Sequence, residues 1–381
     1  MRAAKSMLAG AIVSLATGLG VTADPIRIGF NVPLTGFAAT DGRSALEGAR
    51  LAVDQVNSAG GIGGDPIKLL VYDDQASPKE ATLFAVKMAA QGNVVAGISG
   101  SYSGPTRAAA AVFQENEIPY ISAYAVHPDI TRAGDYVFRT SFTGEVQGRA
   151  GAKLIGDVMR LKRVALITLG NDFGRSLASG FKDKAPEFGI EITGESEYAI
   201  DDREFGPVVS KVKADAPEAI YASGYFFTAG PLVRQIRAAG IDVPIVGQEG
   251  YDSQKFIEIA GPAAEGVIIT TSLDRDATSP VTRAFMSAFE RRAAFPADMV
   301  AASTHTAILV LADALKRSAT GDRAALRDAV AASNVDASTG RISFNALGEV
   351  KKDVQVQVAK GGAWHHYAVI SDPILLSPPE K

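Results

Sequence analysis

Apolar residues along this chain fall into two alternating patterns. Short runs rich in Ile, Val and Leu read as strands over 26–31, 67–72, 94–99, 120–122, 163–168, 191–198, 219–222, 244–247 and 267–271. Between them, apolar positions recur with helical period. Over 42–57, Leu46, Ala49, Val53 and Val56 share one face, and Gly60-Gly61 supplies a stop. Ser77-Pro78 reads as N-cap and first helical residue of a helix over 79–91. The stretches 174–188 and 205–214 follow the same plan. Strand–helix alternation of this kind predicts parallel sheets covered by helices on both faces. Segments 26–36 and 164–174 both run from a strand through a loop into a helix, which predicts two lobes of similar plan. From Val354 the chain alternates as a strand, breaks at Gly361-Gly362 and resumes over 364–370, as a hairpin does. The fold class is α/β, with each lobe a doubly wound parallel-sheet domain.

The N-terminus departs from this alternation. Arg2 and Lys5 precede an apolar stretch over 7–21, and Val21-Thr22-Ala23 has the small-x-small pattern of a signal-peptidase site. Gly10, Ser14, Gly18 and Gly20 dilute the stretch, whereas a spanning helix needs about 20 strongly apolar residues. Residues 1–23 are therefore expected to be a cleaved signal peptide, with the mature, exported chain starting near Asp24. No second apolar run is expected to approach membrane-spanning length, so membrane contact is expected through a partner. A length of 381 residues favours two lobes of about 150 residues each. Composition is that of a globular protein, with 47% hydrophobic and 21% charged residues. The formal net charge of −4 offers no basic excess for nucleic acid. The sequence holds no cysteine, so the core has to hold the fold without disulfides, and a lipid anchor on cysteine is excluded.

Catalytic patterns fail on register and context. Gly100-Ser101-Tyr102-Ser103-Gly104 resembles a nucleophile elbow, but tyrosine occupies the nucleophile position. The four histidines, His127, His305, His365 and His366, have no H-x-x-x-H spacing, and no metal or cofactor is expected. His305 sits in a helical apolar pattern and reads as structural, while His127 lies in a loop after a strand and can face a site. Gly60-Gly61-Ile62-Gly63-Gly64 follows a helix and precedes a strand, the reverse of a phosphate-binding loop. Asp73-Asp74 and Asp201-Asp202 read as solvated or capping acids.

Binding has better support. After the strand over 94–99, Ser101 to Pro105 leads into a helix expected over 106–113. Free N–H groups at a helix start attract anions, and Ser101 is the expected direct contact to a carboxylate, with Ser103 read as a cap. Open parallel sheets bind at the C-terminal ends of their strands, where Glu249 and Tyr225 also lie. Glu249, in Gly247-Gln248-Glu249-Gly250, suits an ammonium. Anion donors in one loop and a cation acceptor in another fit a zwitterion.

An ordered series of segments then resembles the periplasmic leucine/isoleucine/valine-binding proteins, type I solute-binding proteins of ABC importers. It runs through Pro33-Leu34-Thr35-Gly36, Asn57-Ser58-Ala59-Gly60-Gly61, Tyr72-Asp73-Asp74, Phe138-Arg139-Thr140, Phe173-Gly174, Arg234 to Gly240, and Ala260-Gly261 with Glu265-Gly266. The resemblance implies a monomer of two lobes joined by three crossovers, near 140–143, 269–272 and 349–353. The N-terminal lobe would hold 24–141 and 271–351, and the C-terminal lobe 142–270 and 352–381. It implies a small carboxylate ligand, an amino acid first among them, delivered to the importer's permease; a ligand-sensing subunit, or a binder of aromatic acids or amides, stays open. By resemblance, Ser101 meets the α-carboxylate, the Tyr124 carbonyl and Glu249 meet the ammonium, and Phe173 and Tyr225 line the cleft. Val126 stands in place of the family's threonine and Asp41 in place of an aromatic residue, while Tyr102, Tyr124 and His127 add polar bulk. Asp41 favours a polar or cationic ligand side chain, and the tyrosines favour a flat one.

Overall fold

The computed structural model describes residues 24–318 and 322–378. The expected signal peptide, 1–23, lies outside the described residues. In the first half, β1 (Ile26–Val32), α1 (Ala39–Ser58), β2 (Ile67–Asp73), α2 (Pro78–Gln91), β3 (Ala96–Ser99), α3 (Ser103–Glu115), β4 (Tyr120–Ser122) and β5 (Val137–Arg139) follow one another. Their strands form one parallel sheet of order β2-β1-β3-β4-β5. The chain continues as α4 (Gly144–Lys153), β6 (Arg163–Leu169), α5 (Asp172–Lys184), β7 (Glu191–Tyr198), α6 (Gly206–Asp215), β8 (Ala219–Ala222), α7 (Phe226–Ala238), β9 (Ile245–Gly247), α8 (Gln254–Ala260) and β10 (Ile268–Thr271). These strands order as β7-β6-β8-β9-β10, the same arrangement as in the first sheet. The two lobes of similar plan that the sequence implied are therefore present as two sheets of one topology.

After β10 the chain returns to the first lobe as α9 (Pro280–Arg292), α10 (Met299–Arg317), α11 (Arg323–Ala331) and the hairpin β11 (Asn334–Ala337) to β12 (Gly340–Ser343), with α9 and α10 packed along α1. It then crosses again, and β13 (Val354–Lys360) joins β10 antiparallel and carries β14 (Ala363–Ile370) on its outer edge. Gly361 and Gly362 make that hairpin's two-residue turn with φ of 58° and 84°, a conformation that side chains with a Cβ resist.

Local sequence explains most of these elements. The face of α1 predicted by periodicity is buried at Leu46, Ala49, Val53 and Val56. The Ser77 side chain accepts from the Glu80 N–H, and Gly92 closes α2 in the left-handed region. The strand β5 and the pair β11–β12 escape periodicity because three or four residues show no alternation; pairing with β4 and between themselves creates them. One expectation fails. Among the described residues α10 is long and apolar enough to span a membrane by length and composition, yet 83% of its most apolar window is buried in the protein. An all-round apolar helix of this length is here a core helix. His305, on α10, is buried between the Ser338 hydroxyl at 3.2 Å and Gln55 at 2.8 Å, a structural histidine as expected.

Two crossovers meet at one buried ion pair. Arg139 ends β5 and Glu349 precedes β13, and both are within 3% of full burial. Arg139 Nε donates to Glu349 Oε2 at 2.9 Å and Nη2 to Oε1 at 2.6 Å. Its Nη1 donates to the carbonyls of Ala125 and His127 at 3.0 and 2.8 Å, and Thr131 also donates to Glu349. Removing one partner strands the other charge, so Glu349→Ala is expected to cost about 3–5 kcal/mol in urea denaturation. Arg139→Met/Glu349→Leu is expected to lose less than Glu349→Ala alone; a single-variant loss below about 1 kcal/mol contradicts this account.

Candidate ligand-binding cleft

The C-terminal strand ends of both sheets converge on one small cavity. From the first lobe it is lined by Asp41 near the start of α1, Tyr102 and Ser103 at the start of α3, Tyr124 to Val126 after β4, and Met299 and Val300 opening α10. The second lobe contributes Phe173 on α5, Tyr225 just before α7, and Glu249-Gly250 after β9. Gly250 has a packing reason: a Cβ there would sit 2.2 Å from the Gly224 carbonyl oxygen, so only glycine lets the two loops lie against each other.

Aromatic rings cross the cleft. Tyr102 stacks on Tyr225 with centroids 4.4 Å apart and planes 4° from parallel, and Tyr225 stacks on Phe173 at 4.8 Å and 19°. The Tyr102 hydroxyl donates to Asp41 Oδ2 at 2.7 Å, and the Tyr124 hydroxyl donates to the Gly100 carbonyl at 2.7 Å. Outside the cavity, Arg107 of α3 pairs with Asp172 of α5 at 3.0 Å, and the Met299 N–H donates to Asp252 at 3.2 Å. These contacts join the lobes.

The donors for an anion lie at α3. Helix α3 starts at Ser103, with Tyr102 as N-cap, three residues earlier than periodicity suggested. The N–H groups of a first helical turn lack carbonyl partners within the helix. Ser103 lines the cavity, and its Oγ accepts from the Val126 N–H at 3.3 Å, which leaves the hydroxyl proton free to donate.

A model of the periplasmic binding protein family matches residues 25–363. The chain belongs to that family. Among its relatives, the leucine-, isoleucine-, valine-, threonine- and alanine-binding protein of Pseudomonas aeruginosa is 28% identical over 87% of this chain and 88% of its own. The branched-chain amino acid transporter substrate-binding protein LivJ from Streptococcus pneumoniae, in complex with isoleucine, superposes with a TM-score of 0.84 at 27% identity, over 91% of this chain and 99% of that one. A solute-binding protein of an ABC transporter from R. palustris, in complex with benzoate, gives 0.83 at 25% identity, over 91% and 96%. The family is one of transporter binding proteins rather than a class of enzymes.

Seven of the nine residues singled out from the sequence line this binding protein's cavity: Asp41, Tyr102, Tyr124, Val126, Phe173, Tyr225 and Glu249. Two do not. Ser101 precedes the N-cap of α3 and is fully buried, its Oγ without a hydrogen-bond partner among the described residues, whereas the hydroxyl that lines the cavity belongs to Ser103. His127 caps a short 3-10 turn over Pro128–Ala133, with Nδ1 accepting from the Asp129 N–H at 3.2 Å, so its ring is engaged locally. Ser103, Ala125, Gly250, Met299 and Val300 also line the cavity and were not singled out from the sequence. Placing the helix start at Ser103 would have brought Ser103 forward, whereas no local signal brings α10 to the cleft.

Burial dominates the electrostatics. Glu249 is pushed up to about 8 by desolvation, which the Gln147 amide and the Lys352 ammonium only partly oppose. Its Oε2 has no hydrogen-bond partner among the described residues. Asp41 is pushed up to about 7 by desolvation; the Tyr102 hydroxyl opposes this, and Asp298 and Asp252 add to it. Lys352, in the third crossover, is shifted down by burial, with Glu249 opposing. The two raised carboxyls hold protons in the folded state that the unfolded chain, at the ordinary 4.5 and 3.8, has released. Where the folded state binds more protons, stability falls as pH rises. Between about pH 5 and 7, before Lys352 releases its own proton, ligand-free protein is expected to lose stability from this source. Denaturant melts of Glu249→Gln/Asp41→Asn are expected to show a shallower decline over that window. An equally steep decline contradicts the assignment.

Proposed function

We propose that this chain is exported to the periplasm, closes its two lobes on a small carboxylate of amino-acid type, and presents it to the permease of an ABC importer. One observation carries the reading. A single cavity brings Ser103 and a helix start from one lobe opposite the buried Glu249 of the other, with apolar and aromatic walls between. Anion donors at one end and a carboxylate at the other match the two poles of a zwitterion. Relatives named for leucine, isoleucine and valine, and a solved relative holding isoleucine, support the amino acid.

The lobes are proposed as 24–141 with 271–351 and 142–270 with 352–381, moving about three crossovers. The lobe-to-lobe contacts of Tyr102 with Tyr225 and Arg107 with Asp172 support closure as the bound geometry. The protein is proposed to act as a monomer, as the resemblance implies. Membership of a family of transporter binding proteins supports binding without turnover; ligand is expected back unchanged after incubation.

Calorimetry tests the two poles. Glu249→Ala is expected to weaken α-amino acid binding by about 2–5 kcal/mol, as when one partner of a desolvated charge pair is removed. Ser103→Ala is expected to cost about 1–3 kcal/mol, because helix-start N–H groups still hold the carboxylate. Ser101→Ala is expected to cost less than Ser103→Ala. Undiminished affinity in Glu249→Ala overturns the zwitterion reading, and thermal shift over amino acids against their 2-oxo analogues then shows which pole fails.

A further inference from the structure

Among the described residues, two carboxyl side chains line the cavity and no basic side chain does. Their surroundings differ. Glu249 has Lys352, Arg139 and the Gln147 amide behind it, all within electrostatic reach. Asp41 faces acids. Asp252 and Asp298 are its charged neighbours, and each is already engaged: Asp252 by Arg275, and Asp298 by the Ser44 hydroxyl and the Ala301 N–H at 2.8 Å. Asp41 receives one hydrogen bond, from Tyr102, and among the described residues no basic side chain pairs with it. It is 6% exposed, beside Met299, Val300 and the aromatic stack.

A buried carboxylate in apolar surroundings is costly unless a cation meets it. The protein places none there, and the open side of Asp41 is the ligand cavity. We propose that the ligand supplies that cation: the cleft takes an amino acid whose side chain ends in an ammonium, guanidinium or amidinium group seated on Asp41, while Glu249 holds the α-ammonium. This rests on the amino-acid reading above and names the ligand class within it. The aliphatic stem of such a side chain packs on the apolar wall of Met299, Val300 and Phe173.

The alternative is that Asp41 stays protonated and serves only as a neutral partner of Tyr102. Asparagine mimics that state in shape and hydrogen bonding. Calorimetry of the full chain with arginine, lysine, citrulline and leucine separates the two. Arginine or lysine is expected to bind about 10- to 100-fold more tightly than leucine, and citrulline, the uncharged isostere of arginine, to lose a similar factor. This comparison needs no variant. In Asp41→Asn the ratio of cationic to leucine affinity is expected to fall by about 10- to 100-fold. Leucine binding as tightly as arginine and lysine, or an unchanged ratio in Asp41→Asn, overturns the inference while leaving the amino-acid reading intact. If no amino acid binds the wild-type chain, the amino-acid reading itself fails and this inference falls with it.

Discussion

A single buried guanidinium organises both the hinge and the site. Arg139 pairs with Glu349 across two crossovers and, from the same group, holds the carbonyls of Ala125 and His127 on either side of Val126. Desolvating the pair is costly, so it persists only with every hydrogen bond in place. That requirement fixes where the chain leaves and re-enters the first lobe, and it fixes the loop after β4 that presents Tyr124 and Val126 to the cleft. Arginine suits the task because its planar fork donates in several directions at once.

Beyond this anchor, the cleft presents two carboxyl groups that the protein leaves under-compensated. Glu249 has an unpartnered oxygen, and Asp41 has one tyrosine hydroxyl. Groups of this kind gain more from a ligand than solvated ones, because water no longer competes for them. The aromatic contacts across the lobes set the approach distance, with Tyr102 carried by one lobe and Tyr225 by the other. Lys352 places a buried ammonium from the third crossover within electrostatic reach of Glu249, so the charge state of the seat is coupled to the segment about which the lobes are proposed to move. The family frame is thus shared, while Asp41 and Glu249 are the carboxyls that line the cleft.

Much of the cleft was legible because strand ends in open parallel sheets are where such sites form. Tyr225 and Glu249 could be placed from their positions after β8 and β9, and Asp41 from its departure from the family's aromatic residue. Ser101 lies outside the cavity lining for a definite reason. Helix α3 starts three residues before the point periodicity suggested, which puts Ser103 on the cavity, and helix ends are the boundaries that periodicity locates worst. His127 lies outside the lining for another: its neighbours offer a local hydrogen bond that takes the ring nitrogen.

By itself, the sequence determined the α/β class, the repeated strand–helix plan and the final hairpin, since these rest on local periodicity and turn residues. The tertiary structure alone decided three matters. It made an apolar helix of membrane-spanning length the core of the first lobe and brought Met299 and Val300 to the cleft. It joined Arg139 to Glu349 across 210 positions of sequence. It set Asp41 among other acids, away from any compensating cation among the described residues. Each of these is a long-range juxtaposition fixed by burial and packing, which no local pattern encodes.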